Sequence, residues 1–181
     1  MRQYHPKPPR PPAPPRLPHP TRTRPLPEAD LTSTEEKRVG EYDLNIHAES
    51  LGISETEGVD GRRPVLVSVM GPGIGDESIF EAEHADKVDQ EPLIGFTPTH
   101  AVNVAAFCNR PVDHVVTALL TAAVMDAIGG VVNAELRGDQ VPMVASLPGV
   151  NATTTGPWPA AYGSAEFLRA WAQQPGFRLL R

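Results

Sequence analysis

Cysteine is nearly absent. Cys108 is the only one in 181 residues, which excludes an intrachain disulfide and any zinc site built from several thiolates. Basic residues are scarce once the first 27 positions are passed. That opening stretch holds six of the sixteen Lys and Arg, no acid and eleven of the twenty-one prolines, so the remainder sets ten basic residues against twenty-two acidic ones. A body of that sign repels a phosphate backbone, so no nucleic-acid partner is expected. The N-terminus has no apolar run of the kind a secretory leader requires, which makes the cytoplasm the expected compartment. No segment offers the ~20 predominantly apolar residues of a membrane span without interruption, and no membrane association is expected. The nucleophile elbow, the two-histidine zinc helix and the deaminase zinc signature are all missing. No cofactor is implied.

What is present begins with residues 1–40, read as a Pro/Arg-rich tail and linker. Proline removes backbone donors and few apolar side chains are available to bury, so extended, disordered chain is expected there. Pro11 to Arg16 fits the spacing of a PxxP ligand with a following arginine, a match that any proline-arginine tract produces often.

Residues 41–181 read as one α+β domain. Its organising segment is 109–130. Asn109, Arg110 and Pro111 form a helix start, with Asp113 in the first turn, where its charge suits the helix dipole. Gly129 and Gly130 end it. Between them the residues are almost all Val, Leu, Ala, Ile and Met. A helix apolar over most of its circumference is wrapped by other elements. Asp126 is the anomaly, near a C-terminus where burial and dipole both oppose its charge.

Alternating or apolar runs at 42–47, 64–70, 99–107 and 131–136 read as strands. Residues 141–147 suggest a further short strand, limited to an edge by Pro142, and 177–180 a last one. Residues 148–163 read as loop. Ser164 stands where it can cap a second helix over 165–173, with Phe167, Leu168 and Trp171 as its apolar stripe. The expected architecture is a mainly antiparallel sheet of about five short strands packed against the long apolar helix and the shorter C-terminal helix.

The Gly-rich turn at 71–75 lacks the Lys-Ser/Thr of a phosphate loop, and Asp76 and Glu77 follow it directly. From residue 76 to 91 there are seven acids against one lysine, Lys87. Such a run is a solvated surface or a face for a basic partner. Glu81, Glu83 and Asp86 represent the acidic face, and Trp158 and Tyr162 on the Gly/Pro-rich 148–163 loop are either aromatic anchors for a partner or caps on the core. An enzyme reading rests on His100, His114 and Asp126 as a small hydrolase or metal-dependent site. Cys108 closes an apolar strand, where a free thiol is commonly inert.

The runs Pro92-Leu93-Ile94-Gly95-Phe96, Asn109-Arg110-Pro111-Val112-Asp113-His114, the Gly129-Gly130 segment and Tyr162-Gly163-Ser164-Ala165-Glu166-Phe167-Leu168-Arg169-Ala170-Trp171 resemble an uncharacterised bacterial family, domain of unknown function 6368, over roughly 40–181. That resemblance implies no reaction, cofactor or catalytic residue. The arrangement of core helix, paired glycines and closing helix and strand also resembles small immunity proteins of bacterial toxin systems. Together with the acidic run, it suggests a non-enzymatic cytoplasmic binding protein that occludes a basic toxin domain.

Overall fold

Among the described residues seven short strands, all paired antiparallel, divide between two sheets, with one long helix running between them. The computed structural model describes residues 39–54, 61–84, 89–107 and 109–180. The expected tail therefore falls almost wholly outside the described residues, as do Cys108 and Asp86.

In chain order, β1 (Glu41–His47) leads through a 3-10 turn (Ala48–Leu51) to β2 (Arg62–Gly71) and the two-residue β3 (Ile74–Gly75). Helices α1 (Glu77–Glu83) and α2 (Glu91–Ile94) precede β4 (Ala101–Ala106) and the long α3 (Pro111–Ile128). Then come β5 (Val132–Glu135), α4 (Val141–Val144), β6 (Val150–Thr153), β7 (Ala160–Gly163) and α5 (Ala165–Ala172).

β2 is the centre of the first sheet. β1 lies on one edge, from Glu41 opposite Ser68 to His47 opposite Arg62, and β4 lies on the other, from Val65 opposite Ala106 to Met70 opposite Ala101. The chain reverses at Pro72 and Gly73, and β3 continues the β1 edge. This reversal depends on Gly75. Its φ is +66°, and a Cβ there would sit 1.7 Å from the Val69 carbonyl oxygen. Gly75→Ala is expected to lower the unfolding free energy by on the order of 2 kcal/mol or more, read as a fall in the urea midpoint at unchanged slope.

The second sheet has the order β5-β7-β6, with β7 paired on both sides. Residues 148–163, expected as loop, thus contain two strands. Residues 141–147, expected as an edge strand, instead wind into α4, and the Val144 amide donates to the Gln140 carbonyl. Pro142 sits in the first turn of that helix, where a missing donor does no harm. No strand forms at 177–180. Phe177 is buried there against Trp171.

α3 serves both sheets. Val116 and Leu120, with the partly buried Val112, pack with Ile46, Val65 and Val67 of the first sheet. Ala118 and Ala122, with Val115 and Met125, turn the other way, towards Leu136, Val144, Phe167, Leu168 and Trp171. Both sets recur every three or four residues, so opposite stripes of one helix enter separate apolar clusters. Among the described residues α3 alone is long and apolar enough to cross a membrane by length and composition. Its two packed stripes account for that composition.

Its first turn differs from expectation in detail. Asn109 does not cap; its Oδ1 accepts from Arg178 at 3.5 Å. Arg110 holds the cap position, and the Asp113 carboxylate reaches back to accept its backbone N–H at 2.7 Å. Gly129, with φ of +80°, ends the helix, and its N–H donates to the Met125 carbonyl.

Candidate functional site

The C-terminal half of α3 does not close against the first sheet. A groove of about 1120 Å³ opens between β4, the last turns of α3 and the start of β5. Val102, Val104, Val124, Met125 and Ile128 give it an apolar floor, and Ile79 and Phe96 stand on its walls. Ile128, Phe96 and Ile79 are exposed large hydrophobics. Among the described residues its lining also includes four carboxylates, Glu41, Asp76, Glu77 and Glu83, with His84 and His100, and not one Lys or Arg. Asp76 is placed by local bonding, since its carboxylate caps α1 by accepting from the Ile79 N–H at 3.0 Å. Glu77 and Glu83 then stand at opposite ends of that helix.

The acids expected to form a binding face are only partly gathered here. Glu83 lines the groove and lies 3.9 Å from the His84 ring, whereas Glu81 is exposed on α1 away from the lining. Asp86 lies outside the described residues. Trp158 is 82% exposed on the turn joining β6 to β7 and takes no part in the groove.

Tyr162 requires a correction. It is no loop anchor but a residue of the central strand β7, 5% exposed, opposite Asn133 on one side and Ala152 on the other. It is also among the residues that line the groove. Burial pushes its phenol above the ordinary tyrosine value. A phenol raised on folding contributes stability that is complete below the unfolded value near 10 and is lost as pH rises through the folded one. Stability should therefore fall on the alkaline side of that value, and Tyr162→Phe should flatten the decline in urea midpoints measured between neutral and alkaline pH.

The three groups of the enzyme reading are not brought together. His100 lines the groove, its Nε2 3.3 Å from the Pro72 carbonyl oxygen and its Nδ1 3.1 Å from Thr99 Oγ1. His114 is buried at the other end of α3, beside a separate cavity of about 570 Å³ that also borders Arg63, Asn109 and Arg178. Asp126 lines neither space. It forms a two-pronged ion pair with Arg169 of α5 at the surface, so its charge needs no special site. At 1.5 Å per residue, the twelve residues from His114 to Asp126 put roughly 18 Å of helix between them. Among the described residues no three His, Cys, Asp or Glu side chains form a group that would hold a metal ion.

Two features escaped sequence reasoning. Glu41, Asp76 and Glu77 join Glu83 only because β1 and α1 meet at the same groove. Arg63, Val65 and Val67 share the face of β2 turned to α3, and Arg63 approaches Asp113 there, Nε to Oδ1 3.7 Å, with both side chains buried.

No curated protein and no solved structure matches this chain. Residues 22–181 match the model of a family of unknown function, DUF6368, a span that reaches further towards the N-terminus than the motifs carrying the resemblance. The chain belongs to that family.

Proposed function

We propose that this is a non-enzymatic binding protein whose groove receives a basic protein partner. The observation that carries the reading is the lining itself, which among the described residues sets four carboxylates and no Lys or Arg around an apolar floor. An apolar floor supplies affinity through burial, and a rim of one sign raises the encounter rate and rejects acidic competitors. Two histidines and several exposed apolar side chains, with no convergent nucleophile, base and orienting group among the described residues, suit binding better than turnover. The immunity-type role, in which a cytoplasmic protein covers a basic toxin domain, is the form of this reading that the acidic groove favours.

The test is co-purification with the product of the adjacent gene, repeated with Glu77→Lys and Glu83→Lys together. Capture that weakens with added salt and is lost in the double variant supports the reading. Capture at low salt that is unaffected by the double reversal sinks it.

A further inference from the structure

The groove opens on a strand edge. Val102, Asn103 and Val104 of β4 all line it, alongside Ser68, Val69 and Met70 of the neighbouring β2, so the space borders the first sheet where β4 ends it. Among the described residues β4 pairs only with β2. The Phe107 N–H donates to the Pro64 carbonyl at 3.1 Å, which fixes the phase of the ladder. In an antiparallel pair every second residue bonds inward, so Ala101, Asn103 and Ala105 face β2. Val102, Val104 and Ala106 then direct their N–H and C=O groups away from it. The Val69 N–H bonds to the Gly40 carbonyl on the opposite edge, which agrees with that phase.

Resting on the acidic-groove reading, we infer that the partner engages by strand addition. An extended basic segment pairs with the outer edge of β4 as a further strand of the first sheet. Backbone bonding to Val102 and Val104 holds it, and its side chains alternate between two environments. One set meets Val124, Met125 and Ile128 of α3, and the other lies towards the carboxylates of α1 and its cap. The sequence that suits both is an alternation of apolar and basic residues. A free edge left in place is otherwise an aggregation hazard, and an acidic surround admits basic strands while repelling other copies of an acidic chain.

The experiment titrates the full chain with a peptide of about eight alternating lysine and valine residues, then with the same peptide N-methylated at every second backbone amide. Amide exchange of Val102, Val104 and Ala106 is followed by NMR. Strand addition predicts binding of the first peptide, a loss of about tenfold or more on methylation, and slowed exchange at those amides. Salt-sensitive binding that ignores methylation and leaves those amides unprotected overturns strand addition and leaves the acidic groove standing. Failure of both peptides to bind overturns both readings. Protection of the same amides in a dimeric chain before peptide is added assigns the edge to a second copy and overturns the inference.

Discussion

Asp113→Ala is expected to lower the unfolding free energy by about 3–5 kcal/mol, because it breaks a buried ion pair by removing the carboxylate that faces Arg63. Asp113 is 1% exposed and Arg63 6%. Their 3.7 Å separation is an ion pair longer than a hydrogen bond, in surroundings that water screens poorly. Asp113 also caps α3 through the Arg110 N–H, a contribution of about 1 kcal/mol. Asp113→Asn separates the two roles. The amide oxygen still accepts from Arg110, but the charge opposite Arg63 is gone. Asn should therefore recover only the cap, remaining well below the parent in urea denaturation. The double change Arg63→Met with Asp113→Leu removes both charges and should lose much less than Asp113→Ala, leaving mainly the cap deficit. Were the double variant as unstable as the single, the broken ion pair would not be the source of the effect.

That pair also shows where the sequence stops being informative. Asp113 is legible as a first-turn acid because helix starts follow local chemistry. Its partner lies fifty positions earlier, on a strand whose inward phase is not visible until β2 is paired. The core helix was legible for the opposite reason: apolar side chains around most of its circumference require neighbours on several sides, and α3 has a sheet on two. Strands β6 and β7 were hidden in a Gly/Pro/Thr-rich stretch. They are four residues each and built largely from small side chains, so alternation had little to act on. Residues 141–147 misled because a short apolar run has no decisive period, and Pro142 suits a first helical turn as well as an edge strand. Tyr162 follows from the same omission: a loop position leaves anchor and core cap equally open, and only the strand β7 decides for the core. The acidic character of the site was visible in composition. Its shape was not, because Glu41 and Glu83 meet only through the packing of β1 and α1 around one groove.

Trp171→Ala should be the other severe change, at about 3–5 kcal/mol, and Trp171→Phe should be far milder. The indole is 0% exposed, stacked on Phe167 at 5.5 Å between centroids and meeting Phe177 edge-on at 5.0 Å. Alanine opens a cavity where α3, α5 and the second sheet converge, and rigid strands on one side limit how far it can collapse. Phenylalanine keeps most of the stacking area. It also removes a liability, for Trp171 Nε1 is buried with no hydrogen-bond partner among the described residues, and an unmet buried donor costs about 1–3 kcal/mol. The lost ring volume and the relieved donor oppose each other, so the net change for Trp171→Phe should stay within about 2 kcal/mol. Trp158 is the chain's other tryptophan and is 82% exposed. A Trp158→Phe background therefore leaves Trp171 as sole reporter, with blue-shifted emission that moves red on unfolding. Equal destabilisation by Trp171→Phe and Trp171→Ala would mean that the indole N–H is satisfied in solution and that this corner of the core is held by the full width of the ring.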